Sequence, residues 1–231
     1  MEQSVINNAT PWTLPPFDEE TITETKKLIA ENGENLVDSF YKSLEFGTGG
    51  LRGIMGVGTN KINKYTIGLA TQGLANYLKK AGKAPLSVAI AFDCRNNSDY
   101  FAQVAADVLS ANGIQVYVYE SLRATPQLSY TIRQLNCSAG IVITASHNPK
   151  EYNGYKVYWN DGGQLVPPHD KNVIDEVNKS AIIMTKKAAV SARRWFTNTS
   201  QIIVNAGEYL LSLSNRSILK ILSIRKSMPT K

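Results

Sequence analysis

The residue with the clearest chemical potential is Ser146, which lies in the segment 144–149 (Thr-Ala-Ser-His-Asn-Pro). The apolar run 139–143 precedes this segment and predicts a buried strand, so we expect the serine on a tight, exposed turn where the strand ends. The Gly-x-Ser-x-Gly spacing is absent and no acid–histidine relay is evident, which disfavours acyl transfer. Phosphoryl transfer needs mainly a nucleophile and cations around the phosphate.

Two cationic side chains suit such a reaction. Arg52 lies in the glycine-rich segment 45–56, which predicts a loop whose backbone approaches another group closely. Lys156 follows ten residues after Ser146. A guanidinium grips phosphate through two parallel hydrogen bonds, and a lysine can transfer a proton when its pKa is lowered.

The elements that must position these residues alternate along the chain. Strands are predicted at 86–92, 114–119, 139–143 and 154–159, with 164–166 turning back on the last of them. Helices are predicted at 18–31, 34–41, 63–80, 98–112 and 125–135, and from 171 to about 178. Asn63 and Ser98 are the predicted caps of the third and fourth of these helices. This order predicts a three-layer α/β/α sandwich with a mostly parallel mixed sheet. The polar loops 93–97, 123–125 and 144–153 should then meet beyond the carboxyl ends of the strands.

The charge of the chain is unevenly distributed. The 231 residues carry a net charge of +6. Residues 1–176 have 15 basic and 18 acidic side chains, a net of −3, whereas residues 177–231 have 10 basic and 1 acidic, a net of +9. We divide the chain into a polar, Pro-rich N-terminal arm (1–17), an α/β/α domain (18–179) and an irregular basic tail (180–231). Because the body is slightly acidic, we expect no nucleic-acid partner.

The tail permits two interpretations. An abrupt loss of acidic residues is what translation out of frame would produce, and this is our hypothesis for its origin. DNA sequencing that showed a continuous in-frame second domain would contradict it. The alternative is a genuine basic appendage that binds RNA, DNA or anionic lipid. We rank this lower because the basic residues do not cluster at helical spacing and aromatic residues are few.

The cysteines and the hydropathy pattern indicate the cellular compartment. Cys94 and Cys137 lie far apart without a Cys-x-x-Cys pair, and with only two histidines a zinc site is not expected. A reducing cytoplasm fits best. We find no signal peptide at the N-terminus and no apolar run long enough to span a bilayer, so no membrane partner is expected.

Two motifs in order point to a family. The segment 144–149, followed by 152–156 (Tyr-Asn-Gly-Tyr-Lys), resembles the active-site signature of the α-D-phosphohexomutases, which include phosphoglucomutase, phosphomannomutase and their phosphopentomutase relatives. The segment 47–53 (Gly-Thr-Gly-Gly-Leu-Arg-Gly) resembles the N-terminal loop of that family. The resemblance covers about residues 18–178, looks most like the phosphoglucomutase/phosphopentomutase branch, and implies the first domain of a four-domain enzyme.

The resemblance also implies a mechanism. Phosphorylated Ser146 would give its phosphoryl group to a hexose or pentose phosphate, and the resulting bisphosphate would turn over and return its other phosphate to the serine. Mg²⁺ would be bound by the phosphate on Ser146 and by an Asp-rich loop. The matching catalytic positions are Arg52 for orientation and charge stabilisation, Lys156 for proton transfer and His147 for ordering the surrounding groups. Substrate or phosphate contacts are expected at Gly50, Arg52, Thr144, Asn148 and Lys156.

Other segments of the family are absent. The chain lacks an Asp-x-Asp-x-Asp metal loop, the sugar-selecting Gly-Glu-x-Ser-Gly segment and the final phosphate-binding loop. Of the family's metal ligands, only the phosphate on Ser146 would remain. We therefore expect a fragment of a mutase that is inactive alone. The alternative is a non-catalytic module that keeps the fold and binds a sugar phosphate or a protein partner.

Overall fold

A computed structural model of the protein describes residues 2–15, 17–47, 50–81 and 84–180. Helices α1 to α6 span Glu2–Ala9, Glu19–Glu31, Glu34–Phe40, Lys64–Ala81, Ser98–Ala111 and Thr125–Gln134. A 3₁₀ helix covers Thr10–Thr13, and residues 169–180 form a further helix, α7. Strands β1 to β5 span Gly50–Ile54, Ser87–Phe92, Gln115–Val118, Ala139–Ile143 and Tyr152–Trp159. The predicted basic tail lies outside the described residues from 181 onward.

The strands form one mixed sheet in the order β1-β5-β4-β2-β3. β2 pairs in parallel with both β3 and β4, whereas β5 pairs antiparallel with both β4 and β1. Four strands therefore run in one direction and only β5 opposes them. This confirms the predicted mixed, mostly parallel sheet. β4 is buried along its whole length because both of its faces are covered, as its apolar sequence predicts.

Helices cover both faces of the sheet, which confirms the three-layer architecture. On one face, Leu74 of α4 and Leu109 of α5 pack with Ile90, Ile141 and Val157 of the strands. Val173 and Val177 of α7 complete this larger cluster. On the other face, Leu128 and Ile132 of α6 pack against Ala91, Val142 and Tyr158. α6 lies over β2 and β4.

The glycine-rich segment contains a strand, which corrects its interpretation as a loop. Gly50–Ile54 forms β1 and pairs with β5, with Gly50 opposite Lys156. The expected close approach is present, but it is made to the neighbouring strand. Gly50 has φ 155°, and a Cβ there would lie 1.9 Å from the carbonyl oxygen of Tyr155. Backbone packing alone therefore requires glycine at this position.

The N-terminal segment is also more structured than the arm we expected. Val5 and Ala9 of α1 and Trp12 of the 3₁₀ helix are buried. They pack with Leu36 and Phe40 in a small third cluster beside α2 and α3. Polar residues separate these apolar residues in the sequence, and Leu36 and Phe40 lie more than twenty residues further along. A local pattern therefore does not reveal the cluster.

Capping side chains fix the starts of α2 and α4. Oδ1 of Asn63 accepts from the backbone N–H groups of Tyr65 and Thr66, both at 3.0 Å, as expected for the N-cap of α4. Asp18 caps α2 by accepting from the N–H of Thr21 at 3.2 Å, and it also binds Nζ of Lys64 at 2.9 Å and the Tyr65 hydroxyl. Burial alone would raise the pKa of Asp18, but these hydrogen bonds outweigh it and hold the pKa well below its ordinary range.

Candidate active site

The polar loops meet at one edge of the sheet, as predicted. β2 and β4 both end there, and β5 begins there because it runs in the opposite direction. The N–H of Asp93, just past β2, donates to the carbonyl of Ile143 at 3.1 Å. The N–H of Thr144, just past β4, donates to the carbonyl of Gly154 at 3.0 Å. These bonds extend the pairing by one residue and fix where the loop 144–151 leaves the sheet.

Ser146 lies on a tight, exposed turn at this edge. Its backbone has φ 58°, in the left-handed region that non-glycine residues seldom adopt. Its N–H donates to Oγ1 of the buried Thr144 at 3.0 Å, and the N–H of Asn148 donates to the carbonyl of Ala145 at 3.1 Å. A strained backbone that presents a nucleophilic side chain to solvent is a common feature of functional turns.

Arg52 and Lys156 lie on the same face of the sheet. In the β1–β5 ladder, Arg52 is opposite Gly154 and Lys156 is opposite Gly50. Residues that pair across a ladder share a face, and so do residues two apart along a strand. Arg52 and Lys156 are therefore diagonal neighbours, close enough for long side chains to converge. Thr144 follows Ile143 at the position opposite Gly154, so the row Arg52, Gly154, Thr144 leads towards the serine turn.

The two cations are available for an anion. Arg52 is exposed and Lys156 is partly buried. Within the described ranges, neither side chain has an ion pair or hydrogen bond. α6 covers β2 and β4 on this face and also packs against Tyr158, two residues beyond Lys156 on β5. At β1, the exposed side chain of Arg52 shows that the same face is open in the described part of the chain.

The other predicted site residues have differing surroundings. His147 is exposed and has no hydrogen-bond partner among the described residues, so its proposed ordering role stays a prediction. The side-chain Oδ1 of Asn148 is buried without a partner within the same residues, which leaves an acceptor free for a donor group. Thr144 braces the turn, and Gly50 is explained by strand packing. Their proposed contacts with phosphate stay predictions.

Arg95 is the residue at this edge to which sequence reasoning gave no role. Its Nη1 donates to the carbonyls of Pro149 and Tyr152 at 2.9 and 3.1 Å, and its Nη2 donates to those of Ser146 and Asn148 at 2.8 and 2.6 Å. The sequence shows the turn 93–95 as a polar segment after a buried strand. It does not show the role of Arg95, because the carbonyl groups that Arg95 binds lie more than fifty residues away.

Asn153 connects the same turn to β5. This residue is fully buried, and its Nδ2 donates to the carbonyl of Asn96 and to Oγ of Ser98, both at 3.0 Å. Its Oδ1 accepts from the N–H of Gly154 at 2.8 Å. Asn153 therefore ties the start of β5 to the 93–98 segment, and in doing so it sets the register of the strand that carries Lys156.

Magnesium, which the family resemblance implies, does not fit the residues described. No group of three or more His, Cys, Asp or Glu side chains comes together in residues 2–180 as described. Two carboxylates lie at this edge. Glu151 is exposed at the end of the serine loop, whereas Oδ1 of Asp93 accepts from Oγ of Ser98 at 2.7 Å and its Oδ2 lies 3.4 Å from Nε of Arg95. We therefore assign no chemical step to a metal ion.

A cleft of about 600 Å³ lies elsewhere, between the starts of α2 and α4. It is lined by Asp18, Glu19, Glu20 and Glu24, among other residues, and contains none of the predicted site residues. Carboxylates at its wall would repel a phosphate group, so we do not assign it to the reaction.

The fold and the edge geometry define the class of domain, and comparison with known proteins identifies its family. It is a three-layer α/β/α sandwich with an exposed serine at the carboxyl end of a central strand. Residues 43–182 match the family described as phosphoglucomutase/phosphomannomutase, alpha/beta/alpha domain I. That match covers more than half of the chain, and the chain belongs to this family.

Relatives agree with this assignment. The chain is 41% identical over 169 residues to a phosphopentomutase from Homo sapiens, a match that covers 69% of this chain and 28% of the relative. It is 44% identical over 158 residues to a phosphoglucomutase from Staphylococcus haemolyticus, covering 63% of this chain and 29% of the relative. The chain thus spans less than a third of the length of these relatives.

Solved structures share the fold. A protein from Thermus thermophilus, assigned as a phosphomannomutase, superposes with a TM-score of 0.55 at 28% identity, covering 59% of this chain and 30% of that one. A phosphoglucomutase/phosphomannomutase family protein from Burkholderia thailandensis gives a TM-score of 0.50 at 21% identity, covering 59% of this chain and 30% of that one, which supports the fold alone. In the described ranges, no helix combines the length and apolar character that crossing a bilayer requires.

Proposed function

We propose that this chain carries the phosphoryl-accepting serine of a sugar-phosphate mutase. The observation that carries the proposal is the exposed, left-handed turn at Ser146, on the sheet edge towards which the unpartnered Arg52 and Lys156 lie. A serine hydroxyl needs no buried relay for phosphoryl transfer if cations stabilise the charge on the transferred group. The names of the relatives suggest a hexose or pentose phosphate as substrate.

In the proposed cycle, a hydroxyl oxygen of the sugar phosphate attacks the phosphorus of phosphorylated Ser146. The new oxygen–phosphorus bond forms on the sugar as the bond to Oγ of Ser146 breaks. The proton from the sugar hydroxyl is delivered to Oγ, and we assign this transfer to Lys156. Arg52 would hold the transferring group through its planar fork of donors. The resulting bisphosphate then reverses its orientation and returns its other phosphate to the serine.

The proposal is tested by loading Ser146 directly. The chain is incubated with α-D-glucose 1,6-bisphosphate and Mg²⁺, and its peptides are analysed by mass spectrometry for a phosphoryl group. We expect slow phosphorylation at Ser146 and none in Ser146→Ala. Ser43→Ala, which removes another exposed serine from a loop, is the matched control and should load like the parent chain. Absence of phosphorylation at Ser146 would refute the proposal.

Turnover is a separate question from loading. With glucose 1-phosphate, a trace of the bisphosphate and Mg²⁺, we expect mutase turnover at or near background. Our reason is that the chain spans under a third of its relatives, so much of the binding energy that their full length supplies is missing. Turnover close to that of a full-length mutase would contradict this expectation.

The second candidate is a non-catalytic module that binds a sugar phosphate. It is favoured by the lack of a metal-ligand cluster in the described residues. The same experiment separates the two candidates. Binding of the bisphosphate, measured by calorimetry, without any phosphorylation of Ser146 would favour the binding module. We place either function in the cytoplasm, which the two free cysteines support.

A further inference from the structure

The serine turn contains a strained residue, and its local contacts are few. Ser146 has a left-handed backbone conformation although it is not glycine. This conformation carries an energetic cost for any residue that has a Cβ. Two bonds support the turn from within, one to Oγ1 of Thr144 and one to the carbonyl of Ala145. The rest of the loop contains mostly exposed residues. Its far end is held by the N–H of Met55, which donates to the carbonyl of Glu151 at 2.9 Å, and by the N–H of Tyr152, which donates to that of Pro149 at 3.0 Å.

Arg95 adds support along the whole loop from another part of the chain. Its two terminal nitrogens donate to four carbonyls, those of Ser146, Asn148, Pro149 and Tyr152. These carbonyls span the whole loop, from the nucleophile to the first residue of β5. One rigid planar group thus sets the relative positions of four peptide units.

The arginine is itself held firmly. Its side chain is only 13% exposed, and its Nε lies 3.4 Å from Oδ2 of Asp93. Oδ1 of Asp93 accepts from the backbone N–H of Arg95 at 3.0 Å and from Oγ of Ser98 at 2.7 Å. Asp93 in turn donates its N–H to the carbonyl of Ile143, the last residue of β4. The support therefore runs from the ends of two central strands, through Asp93 and Arg95, to the serine turn.

We propose that Arg95 is a positioning residue that holds Ser146 in the geometry needed for phosphoryl transfer. The proposal rests on the function proposed above for Ser146. A guanidinium has five N–H groups; four bind loop carbonyls and the fifth faces Asp93, so Arg95 has none left for a phosphate. It acts through the loop, in contrast to Arg52, whose donors are unused in the described structure.

Arg95→Lys tests whether Arg95 acts through the loop, because the substitution keeps the positive charge but removes the planar guanidinium group. A lysine presents three donors from a single nitrogen and cannot reach four carbonyls along the loop. The control is Arg133→Lys on the surface of α6, where the arginine makes one side-chain bond, to Oγ of Ser129 at 2.8 Å. Both variants exchange arginine for lysine, and only the first should alter the turn.

The first measurement is NMR spectroscopy of the full chain. A left-handed residue gives a strong NOE between its own amide and α protons, and we expect this signal at Ser146 in the parent chain and in Arg133→Lys. In Arg95→Lys we expect it to weaken, with faster hydrogen exchange at the amides of Asn148 and Tyr152. The amides of β2 and β4 should be unchanged, which shows that the fold is intact. An unaltered Ser146 signal with unaltered exchange in Arg95→Lys overturns the proposal.

The second measurement is the rate at which the bisphosphate loads Ser146. We expect the maximal rate to fall about 10- to 100-fold in Arg95→Lys, since small misplacements of reacting groups have effects of that order. The half-saturating concentration should stay within about twofold, since Arg95 does not touch the phosphate. A changed half-saturating concentration with an unchanged maximal rate would show that Arg95 binds substrate, and would also overturn the proposal.

The two measurements separate failure of this proposal from failure of the proposed function. If the parent chain does not load at all, the proposed function fails, whereas the NMR comparison still decides whether Arg95 holds the turn. If Arg95→Lys does not fold, Asp93→Asn takes its place, because it retains the arginine and weakens its anchor. The same local change at Ser146 is then expected, and its absence would count against the role of Arg95.

Discussion

Replacement of Asn153 by alanine offers a sharp test of how the site is held together. The side chain is fully buried and makes three hydrogen bonds of 2.8 to 3.0 Å, to Asn96, Ser98 and Gly154. At a net value of about 1 kcal/mol for each bond, the loss amounts to about 3 kcal/mol of unfolding free energy. For a chain of this length, that loss lowers the melting temperature by about 6–12 °C.

The measurement is urea unfolding followed by circular dichroism. We expect a lower midpoint at an unchanged slope, because the surface exposed on unfolding hardly alters. Asn153→Asp distinguishes lost donors from lost packing, since aspartate has nearly the same shape but turns an oxygen towards the carbonyl of Asn96. We expect it to be at least as destabilising as Asn153→Ala.

The matched control is Asn60→Ala. Asn60 makes one exposed hydrogen bond, from Nδ2 to the carbonyl of Asp38 at 2.9 Å, so its loss should cost under about 1 kcal/mol. If Asn153→Ala destabilises the chain no more than Asn60→Ala does, the bonds of Asn153 do not hold the 93–98 segment to β5, and the reasoning is refuted.

Two further substitutions probe helix packing and acid stability. A Cβ on Gly73 of α4 would lie 2.3 Å from Cγ2 of Val177, so Gly73→Ala should destabilise the chain by about 1–3 kcal/mol. Gly68→Ala on the same helix meets no atom within 4 Å and should be neutral or stabilising, and equal urea midpoints for the two variants would contradict this account. Because the folded pKa of Asp18 is depressed, its stabilisation is full above its unfolded pKa of about 3.9 and is lost as the pH falls towards the folded pKa. Asp18→Asn should therefore lower the urea midpoint at pH 7, and its midpoint should fall less than that of the parent chain on acidification below about pH 4. If the two midpoints fall equally, Asp18 is not the group whose stabilisation is lost.

Strands buried on both faces were predictable because their signal is local. The bounds of β4 agree with the predicted 139–143, and those of β2 differ by one residue from the predicted 86–92. An unbroken apolar run has few alternatives to a central position in a sheet. The cap of α4 at Asn63 was also predictable from the sequence. The predicted cap of α5 at Ser98 is wrong, because the N-cap position is taken by Asn97 in a left-handed conformation.

Elements that depend on distant partners were not predictable in the same way. β1 is a strand because β5 pairs with it, and its glycines and exposed arginine carry little strand propensity of their own. α1 is stabilised by burial against α3, which the polar sequence of the first seventeen residues does not reveal. In both cases the stabilising contact is tertiary, so a local pattern could indicate only a loop or an arm.

Ser146 illustrates the same division at the site. The sequence alone determined the family, the sandwich fold and the place of the serine at the end of a buried strand, because these follow from short motifs and apolar runs that are contiguous in the chain. Only the tertiary structure decided that β5 runs antiparallel and brings Lys156 beside Arg52. It also decided that Arg95 grips the serine loop. The pairing of β1 with β5 and the bonds of Arg95 join residues fifty or more positions apart, and the free energy that fixes them arises only when the sheet is assembled.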